Sequence, residues 1–282
     1  MRELQFAAPQ KSFTLLLPVA LLFIATSALA QLSDPAVAPG LLQIGRKLTL
    51  SGTGGALFDG TLSSTNPEPD PTVGVKLYWN PSKAAFRAGY ITGSEWSFPN
   101  LGQYSFASGY NAKASGASAV AMGNNATASG TNSAAIGNLV TASGANSMAI
   151  GAVASVTGSS AFGGGYYSTA SGYASFAFGQ GVQATGMNSV ALGQSTLAGG
   201  AYAATMGLGT TANAYASLVV GMNNVMEPAT PATGSGAADP LFVVGNGANT
   251  SSRSNAFVVY KNGDIKIKKV QGDISVGIFS AP

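Results

Sequence analysis

The sequence predicts an all-β solenoid built from fourteen-residue coils. Three observations point to it. A glycine recurs every seventh residue through the middle of the chain, the residues before alternate glycines differ, and large and small side chains alternate ahead of every second glycine. From Gly102 to Gly221 in steps of seven there are eighteen positions, of which seventeen are glycine and one is Ala214. A short fixed period means one structural unit stacked on itself, each copy touching mainly its neighbours.

The lattice has two series. The first is Gly109, Gly123, Gly137, Gly151, Gly165, Gly179, Gly193, Gly207 and Gly221, most of them preceded by a large apolar residue. The second is Gly102, Gly116, Gly130, Gly144, Gly158, Gly172, Gly186 and Gly200, most of them preceded by a hydroxyl. Each unit reads N-S-x-A-φ-G followed by x-x-x-T-A-S-G, as in Asn132-Ser133-Ala134-Ala135-Ile136-Gly137 and Asn188-Ser189-Val190-Ala191-Leu192-Gly193. Period-two alternation is strand geometry. Glycine and Asn end each strand after four or five residues. Two such segments and two turns make one coil, with glycine expected at the corners, where the backbone needs positive φ or close approach.

One side of these strands carries Val120, Met122, Ile136, Met148, Ile150, Phe176, Phe178, Val190, Leu192, Met206, Leu218 and Val220. These are expected to fill the interior of the coil. Gly164 breaks the column, with Phe162, Tyr166 and Tyr167 expected to fill the missing volume. The other side is Ala and Ser, so small and uncharged that another backbone is expected to pack on it. Coils this small bury too little apolar surface to order fourteen residues each. A closed ring of identical rods would supply the missing cover, and three chains is the simplest such ring.

Composition narrows the chemistry. The 282 residues include no Cys and no His, which removes disulfides, thiolate nucleophiles, imidazole bases and the commonest transition-metal ligands. No metal or cofactor is expected. Only 8% of residues are charged, and none between Lys113 and Glu227 is Asp, Glu, Lys or Arg. The net charge of +3 gives no nucleic-acid footprint. Carboxylates for a glycan hydrolase would have to come from the flanks: Asp34, Asp59, Glu68, Asp70, Glu95, Glu227, Asp239, Asp264 and Asp273. Thr127, Thr141, Ser155, Thr169 and Thr211 form a hydroxyl column, but Gln183 and Leu197 interrupt it, which argues against an ice-binding array.

Residues 1–30 read as a secretory signal: Arg2 and Lys11, an apolar run from Phe13 to Ile24, and Ala28-Leu29-Ala30 before a mature start at Gln31. Residues 31–72 read as a leader and linker. Residues 73–104 crowd Val75, Leu77, Trp79, Phe86, Tyr90, Trp96 and Phe98 into an expected N-terminal cap for the open end of the stack. The alternative for Trp79 and Trp96 is an aromatic platform for a glycan. The roll is expected over 105–225, a linker over 226–238, and a β-module over 239–282. In that module Asn262-Gly263 turns a hairpin, and Lys266, Lys268 and Lys269 blunt an edge.

The repeated N-S-x-A-φ-G and T-A-S-G units resemble the head repeats of trimeric autotransporter adhesins, the YadA-like heads, over about residues 105 to 225. That resemblance implies a left-handed parallel β-roll, a homotrimer, and a non-enzymatic protein exposed on the surface of a Gram-negative-type bacterium. It also implies matrix, glycan or cell-surface ligands. Carried onto this chain, Val190 and Leu192 point into the roll, while Ser189 and Ala191 face neighbouring subunits or the outside. About sixty residues follow the repeats, without the coiled coil and barrel anchor that end those adhesins. They look instead like β-modules of phage tail fibres and bacterial surface fibres, in Asp239 to Gly247 and Arg253 to Ile265.

Overall fold

A computed structural model describes residues 71–226 and 234–268. The secretory signal, most of the leader and the Glu227 region lie outside the described residues. Two sheets make up the structure. The long sheet holds β1 (Gly74–Asn80), β2 (Ala85–Ile91), β3 (Phe106–Tyr110), β5 (Val120–Asn124), β7 (Ala134–Asn138), β9 (Met148–Ala152), β11 (Phe162–Tyr166), β13 (Phe176–Gln180), β15 (Val190–Gln194), β17 (Ala204–Leu208), β19 (Leu218–Met222), β20 (Pro240–Asn246), β21 (Asn255–Tyr260) and β22 (Ile265–Ile267), in that spatial order. The short sheet holds two-residue strands: β4 (Lys113–Ala114), β6 (Thr127–Ala128), β8 (Thr141–Ala142), β10 (Ser155–Val156), β12 (Thr169–Ala170), β14 (Gln183–Ala184), β16 (Leu197–Ala198) and β18 (Thr211–Ala212). From β2 to β20 every pairing in the long sheet is parallel, and the partners lie fourteen residues apart through the repeats, as in Ile136 opposite Ile150. The chain is a parallel β-solenoid.

The glycines hold this spacing for two different reasons. Gly137 has φ +135, and a Cβ there would sit 1.9 Å from the carbonyl oxygen of Gly151. Gly130 has no positive φ, yet a Cβ would meet the Gly144 carbonyl oxygen at 2.1 Å. Both series are close backbone contacts between layers. Ala214 stands where this series ends: β18 is the last strand of the short sheet, and among the described residues no further short strand pairs beyond it. The tight left-handed corners are mostly not glycine. Asn125, Asn132, Asn146 and Asn188 take φ of 50 to 56, which is why the motif opens on Asn. Leu139, Val153 and Tyr167 take similar φ at the coil's other corner, in the column of Asn125.

The interior reverses one expectation. Alternation is correct, but its phase is inverted. Ala121, Ala135, Ala149, Ala177 and Ala191 are fully buried, and so are Ala128, Ala142, Ala170, Ala184 and Ala198 on the facing short sheet. Val120, Met122, Ile136, Met148, Ile150, Phe176, Phe178, Val190, Leu192, Met206, Leu218 and Val220 point outward instead, half-buried or exposed. Ser189 is buried with Ala191 inside the roll, so both leave the outer surface. A fourteen-residue coil brings its two walls so close that mostly small side chains fit between them, with Thr205, Val219 and Val156 the largest at these inward positions. The other backbone expected against the Ala and Ser side is the chain's own second sheet. Where Gly163 replaces the interior Ala, Val156 replaces the facing one, and its Cγ2 would lie 2.5 Å from an added Cβ.

The ends depart from the period. Phe86-Arg87-Ala88-Gly89-Tyr90 of β2 aligns with Phe106 to Tyr110, and Phe242 to Asn246 of β20 aligns with Leu218 to Met222. The glycine column thus continues through Gly89 and Gly245, beyond the seven-residue lattice. At the N-terminal end Trp96 is fully buried with Ala85, Ile91 and Leu101, its indole N–H donating to the Ala112 carbonyl at 2.8 Å. Arg87, also fully buried, donates to Ser105 Oγ at 2.7 Å and to the carbonyls of Ser105, Ala114 and Phe86, each at 2.9 Å. At the other end Val258 and Tyr260 pack on Val219, Val243, Ala203 and Ala212.

Candidate functional site

Among the described residues, the outer face of the long sheet is an extended apolar feature that the fold leaves uncovered. Strand pairing places two columns side by side on it. The first runs Trp79, Phe86, Phe106, Val120, Ala134, Met148, Phe162, Phe176, Val190, Ala204, Leu218, Phe242, Val259 and Ile265. The second, two residues further along each parallel strand, runs from Leu77 through Ala88, Met122, Ile136, Ile150, Phe178, Leu192, Met206, Val220, Val244 and Phe257 to Ile267, interrupted by Ser108 and Gly164. Neither column contains a charged residue. Both follow from the N-S-x-A-φ-G unit: once Ala turns inward, x and φ must turn outward.

Aromatic stacking gives this face local structure. Phe86 and Phe106 stack at 5.6 Å between ring centroids, and Phe162 and Phe176 at 4.9 Å. The gap at Gly164 is filled by Phe178, whose ring carbon lies 2.7 Å from where a Cβ would be, with Phe162 beside it. Tyr166 and Tyr167 do not fill it: they pack edge-to-face with each other at 4.4 Å, and their mutual hydrogen bond raises the Tyr166 phenol above its ordinary range. A third column is polar and aromatic, with Tyr90 stacked on Tyr110 at 5.6 Å and Asn124 and Asn138 in register.

The remaining candidates fall elsewhere. Trp79 is partly exposed on the apolar face, but Trp96 is core, so the two do not form a platform. Among the described residues the carboxylates serve local turns or one ion pair. Glu95 accepts from the Gly93 N–H at 3.0 Å, and the Asp264 carboxylate accepts from Asn262 Nδ2 at 2.7 Å. Asp239 accepts from the Gly236 N–H and lies 3.6 Å from Lys261. Glu68 and Asp70 lie outside the described residues. The hydroxyl column of Thr127, Thr141, Ser155 and Thr169 runs in register along the short sheet. Burial lowers the Arg87 guanidinium to about 10, partly opposed by Tyr78, so it stays protonated at neutral pH inside the roll.

Sequence reasoning placed Phe86 in a cap and Phe242 in a separate β-module, and missed that their strands, with Gly89 and Gly245, continue the column. The signal was present as F-R-A-G-Y and F-V-V-G-N, but at spacings of 20 and 24 residues to the next glycine of the column.

Residues 101–126, 114–139, 128–154, 170–196 and 184–204 match the YadA head domain repeat. No curated protein sequence matches the chain. The chain therefore carries YadA head domain repeats, and these form the solenoid's fourteen-residue coils.

Proposed function

We propose that this is an exported, non-enzymatic, adhesin-like surface protein that acts as a homotrimeric rod, beginning at Gln31 after signal cleavage. The observation that carries the reading is the phase of the coil. Phe178 is 51% exposed and Met206 53%, yet both sit in an apolar column that runs unbroken from Phe178 to Val244. A face of this length on a soluble protein marks an interaction surface. Its residues occupy the φ position of the head repeat, so the repeat itself supplies the association surface. The rod then presents many identical weak contacts to matrix, glycan or cell-surface ligands, and avidity replaces a deep pocket. Sedimentation equilibrium of the mature chain tests the assembly: a trimer is expected, and a stable monomer at micromolar concentration overturns it. Binding of the trimer, but not of a monomeric variant, to immobilised collagen, fibronectin or glycans tests the adhesive role. Absence of binding to every such surface removes it.

A further inference from the structure

The ends of the long sheet lie outside the matched repeats, yet they continue both apolar columns. Leu77 and Trp79 stand at one end, and Phe242, Phe257, Ile265 and Ile267 at the other. We infer that β1, β2 and β20 to β22 belong to the same self-association face as the repeats, and that their occupants are the same strands of further copies of this chain. This rests on the self-association reading above.

Three observations support it. First, continuity: the end strands pair in register with the repeat, so Phe242 follows Leu218, and Ile267 follows Phe257, along the same lines. Second, exposure: Leu77 is 76% exposed, Ile265 59% and Ile267 49%, as open as the repeat residues between them. Third, area. Nine of the fourteen strands are five-residue repeat strands. At ~4.8 Å per strand and a two-column width of ~10 Å they offer ~400 Å², about half of one partner's share of a standard interface. The five end strands bring this to about 700 Å². Charge chooses the partner. Copies aligned around a shared axis bring each residue against itself, which like charges would oppose, and the two columns have none.

The chain contains no Cys, so single cysteines report which positions meet. Met122→Cys on a repeat strand, Ile267→Cys on β22 and Thr141→Cys on the short sheet are each oxidised in the full mature chain and resolved on non-reducing gels. Interchain disulfides are expected for Met122→Cys and Ile267→Cys and not for Thr141→Cys. Ile267 is exposed, so its substitution leaves folding intact. If Met122→Cys links and Ile267→Cys does not, the ends lie outside the face and this inference is wrong while the trimer reading stands. If Met122→Cys also fails to link, the proposed association face falls, and the inference with it.

Discussion

Two glycines with positive φ separate the lattice's two demands on the backbone, conformational freedom and close approach. Gly181 has φ +63, and the nearest atom to an added Cβ is Ser195 Oγ at 3.8 Å. The chain already holds Ala174 and Ala216 at φ 50, so Gly181→Ala meets only the left-handed penalty of about 1 kcal/mol. Gly137 has φ +135, and its Cβ would lie 1.9 Å from the Gly151 carbonyl oxygen and 2.9 Å from its carbon. Real Cβ contacts do not fall below 3.0 Å, so the layers must part by about 1 Å. Ladder hydrogen bonds near 2.9 Å then stretch past bonding distance, and each buried backbone group left unpaired costs about 1–3 kcal/mol. Two or three such groups plus the φ strain give a loss of about 4–6 kcal/mol for Gly137→Ala. Thermal unfolding followed by far-UV circular dichroism reads the difference: a fall of about 2–4 °C for Gly181→Ala, and of about 10 °C or more for Gly137→Ala. Equal shifts for the two variants would refute the layer-contact reasoning.

Three other outcomes follow from the same geometry. Ala149→Leu, inside the roll, is expected to cost about 3 kcal/mol, whereas Ile150→Leu on the outer face costs under about 1 kcal/mol; chemical denaturation of the pair checks the phase of the strand. Val153 holds φ 56 with a β-branched side chain, so Val153→Asn should stabilise by about 1 kcal/mol, visible as a higher unfolding midpoint. Arg87→Met should stay within about 1 kcal/mol of the parent, because removing a buried cation offsets its lost hydrogen bonds, while Arg87→Ala leaves a void and costs about 2–4 kcal/mol. The Arg87 guanidinium falls from its ordinary value to about 10 on folding, so above pH 10 the unfolded chain holds more protons. Its contribution to stability is therefore flat below pH 10 and rises as the pH climbs above it. Denaturation of the parent against Arg87→Met above pH 10 reads the effect together with that of Tyr78, which interacts electrostatically with Arg87, while ionisation of the other tyrosines is common to both.

The period, the strands and the positions of the glycines were legible in the chain because each depends on residues a few places apart. Asn at the left-handed corners and the x-A-φ alternation belong to the same local grammar, and the match to head repeats follows from it. The face that would be buried was not legible. Alternation has two phases, and hydrophobicity alone favours putting Ile136 and Phe178 inside. The distance between the two sheets, a property of the closed coil, favours small residues such as Ala135 and Ala142 inside and turns the larger ones out. The same limit hid the ends. Arg87 and Trp96 look like surface and ligand residues in a linear reading, and the insertions before Gly109 and Gly245 take those strands off the fourteen-residue count. Only stacking in three dimensions returns Gly89 and Gly245 to the column and makes a buried arginine the stopper of the roll.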